Sequence, residues 1–427
     1  MSEMILFQDG VLIDPLSQRD GKYDVLIRNG QIESIKSSIE LKKEYRIVNL
    51  KDKIFCPGFI DMHVHLREPG FEHKETIETG TLSAAFGGFT AVCCMPNTNP
   101  AIDDESIALF VQSQGKRANG GIVDVYPVGA VTKRREGKEL APIAELVQAG
   151  AVALSDDGAP VSDAEMMRRA FEYAGMFDVP IIQHCEEPTL AKHGVVNEGF
   201  VSTSLGLPGI PSVAEEVMIA RDLILTQYTN GRYHIAHVST AGSVELIRRA
   251  KKEKNRVTCE VTPHHFTLTD ELVRSYNTNT KMNPPLRTQT DIDAIKEGLR
   301  DGTIDVIATD HAPHSLDEKE VDFLQAPFGI VGLETAIGLA MTELVHTGIL
   351  SLNQLVEKFS VNPRRIVGKP ITVEEGQEAN FTFIDPNAEW KVDIGQFKSK
   401  SKNTPFGDRV LKGRAVGIMN HGQLFLY

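Results

Sequence analysis

Hydrophobic and polar positions follow two different patterns along the chain, and the change between them separates three regions. Residues 1–57 contain short runs in which apolar and polar positions alternate, with Gly and Asp-Pro pairs between the runs. Residues 370–427 repeat this style. Alternation over short runs bounded by turn residues is typical of β-strands joined by tight turns. We therefore predict that the two chain ends form one composite β domain, a small β-sandwich.

Two dipeptides in these flanking regions indicate hairpins. Asn29-Gly30 and His421-Gly422 each lie between two alternating runs. Two-residue hairpin turns favour residues that adopt a positive φ, and Asn-Gly is the strongest such pair. Each flank is therefore expected to contain a two-residue hairpin.

The middle region, residues 58–369, has a different organisation. Short apolar, β-branched runs alternate with amphipathic helical patterns, which predicts a parallel sheet covered by helices. Eight such units in about 310 residues predict an α/β fold of the (β/α)₈ or TIM-barrel type. A doubly wound sheet is the alternative, because strand order is not visible in a sequence. The runs are 59–65, 89–97, 123–132, 151–157, 179–186, 233–240, 257–265 and 306–313.

Most of these runs start apolar and end in side chains capable of chemistry. Barrel enzymes place their active sites at the carboxyl ends of the strands. A purely structural barrel has no reason to repeat such residues there, so the pattern favours an enzyme. The residues at these ends are His63, His65, Asn97, Asp157, His184, His237, His264 and Asp310.

Composition and charge exclude several other classes of protein. Hydrophobic residues make up 41% and charged residues 24% of the 427 positions, which is ordinary globular usage. The net charge of −13 argues against a nucleic-acid or anionic-membrane binder. No apolar stretch is long enough to span a membrane. The five cysteines form no C-x-x-C pair and mostly lie in apolar runs, which predicts buried, reduced thiols and a cytoplasmic location.

The histidines and aspartates at the strand ends indicate a metal centre. His63 and His65 are two positions apart on one predicted strand, so both imidazoles point to the same side and can reach one cation. Further histidines and carboxylates at other strand ends would crowd charge at the barrel mouth unless a cation organised them. Imidazole and carboxylate without thiolate suit Zn²⁺ or a similar divalent ion. The number of ligands points to two metals sharing a bridging carboxylate, or to one tightly held metal with a spare half-site.

Several segments together resemble the dihydroorotases of the amidohydrolase superfamily, and the resemblance covers nearly the whole chain. It implies the reversible cyclisation of N-carbamoyl-L-aspartate to L-dihydroorotate in de novo pyrimidine (UMP) biosynthesis, with a metal-activated water and an aspartate proton shuttle. The segments are PGFIDMHVHLREPG, MPNTNP, QHCEE, AHVST, KMNPPL and ATDHAPH.

The resemblance also implies a set of metal ligands and the general acid–base. His63, His65 and Asp310 would hold the first metal, and His184 and His237 the second. Asp310 would also shuttle the proton. Many superfamily members bridge the metals with a carboxylated lysine on the fourth strand, whereas this chain has Asp156 and Asp157 there. We assign the bridge to Asp157, as in the dihydroorotase branch with an aspartate, and expect one firmly bound Zn²⁺ and a weaker second site.

The remaining predicted site residues concern the substrate, which carries a carboxylate and a ureide. Arg67 continues the alternation of the first strand and offers a fork for a carboxylate. Asn97 and Asn283 can pair with carboxylate or ureide, and His314 is a further donor. Phe328 and Gly329 resemble the family segment whose main chain meets the ring. The long stretch between His311 and Phe328 is expected to form a lid.

Other functions remain open from the sequence. A related cyclic amidase, such as an allantoinase or a hydantoinase, is distinguished by Arg67, because its neutral ring substrates lack the carboxylate. A non-catalytic partner of aspartate transcarbamoylase is disfavoured by the intact set of metal ligands. We expect a small-molecule substrate and a homo-oligomer, with aspartate transcarbamoylase as a candidate partner.

Overall fold

The structure, a computed structural model, describes residues 4–427; residues 1–3 of the predicted N-terminal flank lie outside the described residues. The strands in chain order are β1 (Met4–Gln8), β2 (Val11–Asp14), β3 (Arg19–Lys22), β4 (Asp24–Arg28), β5 (Gln31–Lys36), β6 (Arg46–Asn49), β7 (Ile54–Pro57), β8 (Phe59–Val64), β9 (Phe89–Cys94), β10 (Asp124–Gly129), β11 (Ala153–Leu154), β12 (Ile181–Gln183), β13 (Val196–Asn197), β14 (Gly209–Ile210), β15 (Tyr233–Ile235), β16 (Val257–Val261), β17 (Val306–Ile307), β18 (Phe381–Lys391), β19 (Val410–Asn420) and β20 (Gln423–Leu426).

Eight parallel strands form the barrel in the order β8-β9-β10-β11-β12-β15-β16-β17. Each of the eight predicted runs contributes one of them. The sheet closes where Val64 and His311 form a parallel bridge, and the His65 N–H donates to the His311 carbonyl at 2.9 Å. The strand order confirms the barrel and excludes the doubly wound sheet.

Helices cover the barrel, as the amphipathic patterns predict. None of the described helices is both long and apolar enough to cross a lipid bilayer. They are α1 (Ile77–Gly87), α2 (Glu105–Arg117), α3 (Ile143–Gln148), α4 (Ala164–Gly175), α5 (Pro188–Ala191), α6 (Phe200–Leu205), α7 (Val213–Thr229), α8 (Ala241–Lys252), α9 (Gln289–Asp301), α10 (Leu316–Lys319), α11 (Ala336–Ala340), α12 (Leu352–Val356) and α13 (Asn362–Ile366).

Two further sheets have the orders β5-β4-β1-β6 and β20-β19-β18-β7-β2-β3, and the second contains strands from both chain ends. Their shared core contains a cluster of phenylalanine rings whose centroids lie 5.1–6.4 Å apart: Phe7, Phe55, Phe381 and Phe383. Residues from both termini are needed to bury these rings, so the composite β domain is confirmed. The boundaries at 57/58 and 369/370 stay a prediction.

Both hairpins form with the predicted turns. Arg28 pairs with Gln31 across one turn, and Asn420 pairs with Gln423 across the other. The two residues of each turn have positive φ, 50° and 79° at Asn29-Gly30 and 48° and 70° at His421-Gly422. Asparagine and glycine tolerate this conformation most readily, which is why the first of the two signals is strong.

Candidate metal centre and substrate cavity

A register shift in β8 directs the two histidines of the H-x-H motif into the barrel mouth. Ile60 and Met62 belong to the cluster inside the barrel, whereas Val64 belongs to the layer between strands and helices. The pairing with β9 shifts between Asp61 and Val64. A bulge of this kind changes which face later side chains occupy. Beyond it, His63 and His65 take the inward positions.

Asp157 stands between two groups of histidines. Its Oδ1 lies 3.3 Å from His63 Nε2, and its Oδ2 lies 3.5 Å from His65 Nε2. On the other side, Oδ1 lies 3.9 Å from His184 Nδ1 and 3.7 Å from His237 Nε2. The structure therefore contains two trios of buried side chains that can hold a metal ion, and both include Asp157.

The neighbouring Asp156 has a different role. Its carboxylate accepts the N–H groups of Val131 and Thr132 at 2.9 and 3.1 Å and the hydroxyl of Thr132. These bonds tie the ends of β10 and β11 together. The Asp156 carboxylate is therefore engaged away from the two groups of histidines.

Asp310 completes the first group. Its Oδ1 lies 2.9 Å from His65 Nε2 and 3.6 Å from His63 Nε2. Burial raises the pKa of its carboxyl, but the hydrogen bond to His65 and the nearby imidazoles outweigh burial and hold the pKa below its usual range. Asp310 is therefore ionised at neutral pH, as a metal ligand or a general base must be.

The donor atoms in this centre fit a divalent cation. His63 Nε2 and Asp157 Oδ1 are buried and have no hydrogen-bond partner among the described residues, although they face each other at 3.3 Å. Unpaired buried polar atoms are costly. Burial lowers the pKa of His63, but Asp157 and Glu260 outweigh it and raise this pKa well above its usual value. The excess negative charge that favours a proton there also favours a metal ion.

Glu260 is a residue of this centre that the sequence analysis missed. It lies on β16, where its Oε1 accepts from His63 Nδ1 at 2.6 Å and its Oε2 lies 3.1 Å from His234 Nε2. All three side chains are fully buried. A carboxylate on one ring nitrogen fixes the tautomer and leaves the other nitrogen free for a metal. The signal for Glu260 was a lone carboxylate inside an apolar run.

Every predicted site residue except His63 lines one cavity of about 340 Å³ at the barrel mouth. His63 lies behind it, fully buried. Three of the residues other than glycine have positive φ angles: Arg67 at 63°, His237 at 30° and Asp310 at 48°. Such conformations cost on the order of 1–3 kcal/mol each and cluster at active sites.

Arg67 is the cationic group of this cavity. Its Nε donates to the Pro313 carbonyl at 3.2 Å, and its Nη2 lies 3.4 Å from His314 Nε2. It makes no ion pair with Glu68, which instead accepts the Ile77 N–H at the start of α1. The guanidinium is thus buried, held by a carbonyl and free to pair with an anion in the cavity.

The two predicted asparagines are held differently. Asn97 Oδ1 lies 2.8 Å from His65 Nδ1, so its carbonyl fixes the tautomer of a predicted metal ligand. Asn283 Nδ2 donates to Glu186 Oε2 at 2.8 Å, and its buried Oδ1 has no partner among the described residues. The free group of Asn283 is therefore an acceptor, which matches a ureide N–H better than a carboxylate.

His314 connects the cavity to the stretch predicted to form a lid. Its Nε2 donates to the Phe328 carbonyl at 2.8 Å, so this donor is already engaged. Burial and the charge of Arg67 lower the pKa of His314 to about 3, which keeps the ring neutral. Two buried ammonium groups also fasten this stretch, since Lys281 donates to the Phe323 carbonyl and Lys319 to the Pro327 carbonyl, both at 2.8 Å.

Arg135 is a further residue in contact with this centre. Its guanidinium donates to the Asp157 carbonyl at 2.6 Å, whereas Lys133 and Arg134 of the same basic run are exposed. His264, at the end of the seventh predicted run, has an Nε2 without a hydrogen-bond partner among the described residues. The neighbouring His265 contacts Thr262 at 2.7 Å and the Pro284 carbonyl at 3.0 Å.

Comparisons with known proteins place this geometry in context. A family model described as Dihydro-orotase-like matches residues 52–243. The dihydroorotase of Acetivibrio thermocellus is 51% identical over 421 residues, which cover 98% of both chains. That of Pelotomaculum thermopropionicum is 53% identical over 410 residues, 96% of this chain and 95% of the relative.

Solved structures share the fold. L-Hydantoinase (dihydropyrimidinase) from Arthrobacter aurescens superposes with a TM-score of 0.87 at 25% identity, over 99% of this chain and 96% of that chain. Dihydropyrimidinase from Brevibacillus agri gives a TM-score of 0.84 at 20% identity, over 99% and 95% of the two chains. At that level of identity, the second similarity carries information on the fold alone.

Proposed function

The chain belongs to the dihydroorotase family, and from this premise we propose that it closes N-carbamoyl-L-aspartate to L-dihydroorotate, reversibly, as a step of pyrimidine biosynthesis. The observation that carries the proposal is the position of Asp157 between two pairs of histidines, in the same cavity as Asp310 and Arg67. This arrangement joins a metal centre, a general base and a carboxylate receptor in one place.

The metal that we propose is Zn²⁺. His63, His65 and Asp310 would hold the first ion, and His184 and His237 the second, with Asp157 between them. Imidazole and carboxylate donors suit zinc and related divalent ions. When bound, such an ion lowers the pKa of water towards neutrality and polarises an amide carbonyl.

Asp310 has the protonation state that a proton shuttle needs. In ring opening, its ionised carboxylate would take a proton from the attacking water and deliver it to the departing ring nitrogen. In ring closure the same carboxylate would take the proton from the ureide nitrogen. Its contact with His65 fixes the carboxylate at the floor of the cavity.

Arg67 would select the substrate. A guanidinium binds a carboxylate through two parallel hydrogen bonds, and dihydroorotate carries this carboxylate beside its ring. The free carbonyl of Asn283 would accept a ureide N–H. Hydantoin and dihydrouracil, which are neutral rings, lack the group that Arg67 would bind.

Turnover in both directions tests this function. The purified protein is expected to hydrolyse dihydroorotate and to cyclise carbamoyl aspartate. Asp310→Asn is expected to lower both rates about 10²-fold or more while the protein stays folded, because general acid–base groups contribute about 10²–10⁴-fold. Absence of turnover in the metal-loaded wild-type protein would contradict the function. Retention of more than about a tenth of the rate in the variant would contradict the role of Asp310.

A further inference from the structure

A second cavity, of about 300 Å³, lies where the barrel meets the composite β domain. Its walls come from the carboxyl end of α1, the start of α11, and β18 and β19 with the loop that joins them. None of its lining residues belongs to the catalytic cavity. Small-molecule sites often lie between domains, and this volume is at the lower end of their range.

Two cations of this cavity have aromatic faces instead of carboxylates as partners. The Arg414 guanidinium lies 4.9 Å from the centre of the Trp390 ring, and Lys398 Nζ lies 4.7 Å from the centre of the Phe86 ring. Among residues 4–427, neither cation has a carboxylate within ion-pair distance. Lys391, at the same cavity, does pair with Asp408 at 2.8 Å.

Each carboxylate in the wall accepts from other groups through one oxygen, Oε1 of Glu334 and Oδ1 of Asp393, and neither forms an ion pair with Arg414 or Lys398. Glu334 accepts the N–H groups of Lys398 and Ser399 at 2.7 and 3.1 Å and the Ser83 hydroxyl at 2.9 Å. Asp393 accepts the Gly395 N–H at 2.9 Å. The chain has 58 acidic residues and a net charge of −13. Even so, the Arg414 guanidinium and the Lys398 ammonium have no carboxylate partner at this cavity among residues 4–427.

We propose that this cavity binds a small phosphorylated molecule that carries a flat ring, of the nucleoside monophosphate class. The guanidinium fork of Arg414 matches phosphate oxygens, and the Lys398 ammonium adds a second positive charge. Where a phosphate draws the two cations off these rings, the faces of Trp390 and Phe86 that the cations now cover would become flat apolar walls of the kind on which bases stack. The indole is held in place because its Nε1 donates to the Gly413 carbonyl at 3.0 Å.

The cavity is linked to the catalytic centre through segment 398–400. The backbone of this segment donates to Glu334 on one side, as described above. On the other side, the Ser399 hydroxyl and the Lys400 N–H, the latter at 3.0 Å, donate to the buried carboxylate of Glu75. A ligand that binds the Lys398 ammonium therefore contacts a segment that is also hydrogen-bonded to Glu75.

Glu75 continues the link to the catalytic residues. Its Oε2 accepts from His311 Nε2 at 3.3 Å, since His311 Nδ1 already accepts the Gly332 N–H at 3.1 Å. His311 directly follows Asp310, and its carbonyl accepts the His65 N–H at 2.9 Å. We infer that an occupant of the second cavity changes turnover. This coupling, unlike the binding itself, rests on the proposed function.

Titration calorimetry of the full chain tests the site. The probes are uridine and adenosine monophosphates, uridine and inorganic phosphate. We expect one nucleotide site per chain with a Kd of about 1 mM or tighter, and weaker binding of uridine and phosphate. Lys398→Gln and Arg414→Gln are each expected to weaken nucleotide binding about tenfold or more, because each removes a charge-assisted bond. Arg300→Gln, at an exposed ion pair with Glu297 on α9, is the matched control and should bind normally.

The proposed site would be overturned if neither nucleotide showed saturable binding, or if both cavity variants bound nucleotide as tightly as the wild type. An equal loss of nucleotide affinity in the Arg300 variant would also overturn it. Phosphate binding as tight as the nucleotides would overturn the flat-ring requirement. Arg414 is exposed and Lys398 half-buried, so both variants should fold. Undiminished binding in one variant alone would overturn the role of that residue.

The coupling is tested separately. A saturating nucleotide is expected to change kcat/KM for ring closure at least about twofold in the wild-type protein and not in Lys398→Gln. Unchanged kcat/KM in the wild type would overturn the coupling. A protein without any cyclase activity would contradict the proposed function, whereas the calorimetric result stands independently of turnover.

Discussion

Side-chain oxygens behind the imidazole rings orient two of the predicted metal ligands. Glu260 fixes His63 through Nδ1, and Asn97 does the same for His65 with its amide oxygen. In both cases the Nε2 atom is left to face Asp157 or Asp310. The tautomer of each predicted ligand is therefore set before a metal binds, which is the usual function of such partners.

Replacing Glu260 tests this arrangement. Glu260→Gln keeps the shape but removes the charge that holds the His63 Nδ1 proton. Metal affinity is expected to fall about 10–100-fold. Competition with a chromophoric chelator measures the Kd directly. Asp222→Asn, a buried carboxylate that pairs with Arg221 on α7, is the matched control and should keep wild-type affinity. A Kd for the Glu260 variant within about twofold of wild type would show that the contact is only structural.

Arg67 should determine the KM for dihydroorotate. Arg67→Lys keeps the positive charge but lacks the paired N–H donors of the guanidinium, and Arg67→Met removes both the charge and the donors. Hydrogen bonds to charged groups contribute about 1.5–3 kcal/mol, so KM should rise about 10–100-fold in the methionine variant and less in the lysine variant. Steady-state kinetics and circular dichroism provide the readouts. A fall in kcat at constant KM would assign Arg67 to another step.

The two predicted metal sites should differ in their affinity for the ion. An aspartate is shorter than a carbamylated lysine, so it reaches both ions only if the strand and the metals lie close together. We expect the ion at His63, His65 and Asp310 to survive dialysis against a mild chelator and the ion at His184 and His237 to be lost. Elemental analysis counts them. Two ions retained per chain would refute the weak second site, and unchanged metal content in Asp157→Ala would refute the assignment of Asp157.

At the scale of elements, the strands and both hairpins could be predicted from the sequence, whereas the bulge in β8 could not. Alternation predicted that His63 and His65 share a side, but Ile60 and Met62 already occupy the inner face. A bulge inserts one extra residue into a strand. The position of the bulge in β8 is determined by the pairing with β9, so the local pattern of apolar and polar residues does not reveal it. The left-handed conformations of Arg67 and Asp310 escape prediction for the same reason.

The β19–β20 hairpin also joins the composite β domain to the barrel. His421 Nε2 lies 2.9 Å from Asp124 Oδ1 at the start of β10, and its Nδ1 lies 2.8 Å from Glu378 Oε1. Burial lowers the pKa of His421, but the two carboxylates outweigh it and raise this pKa above its usual value. The charged imidazole therefore stabilises the folded protein.

The pH dependence of this stabilisation follows from the direction of the shift. It is fully present below the unfolded-state pKa of about 6.5 and is lost as pH rises through the folded-state pKa. His421→Asn keeps a residue suited to positive φ and removes the charge. Because His421 is partly exposed, we expect a loss below about 1 kcal/mol, or roughly 1 °C or less in Tm, at pH 5.5 and none at pH 9. An equal loss at both pH values would exclude the ionic contribution.

At the scale of the whole molecule, the barrel with its composite β domain was predictable because eight runs and two flanks carry distinct periodicities. The histidines and aspartates of the catalytic cavity were predictable because barrel strands end at one mouth, whereas Phe328 and Gly329 were expected from the family resemblance. Glu260 and Arg135 were not, since Glu260 lies within an apolar run and Arg135 lies outside the strands, and their roles depend on what they contact. The second cavity arises from packing between domains, for which the sequence has no local signal. The homo-oligomer and the aspartate transcarbamoylase partner stay predictions.

Substrate selectivity distinguishes a dihydroorotase from the related cyclic amidases. The measurement is kcat/KM of the metal-loaded protein for L-dihydroorotate, hydantoin, allantoin and dihydrouracil under one set of conditions. A site that binds a charged group rejects analogues that lack it by large factors, so dihydroorotate should be preferred about 10²-fold or more. Equal or faster hydrolysis of any of the neutral rings would contradict the proposed dihydroorotase activity and identify the protein as a different cyclic amidase.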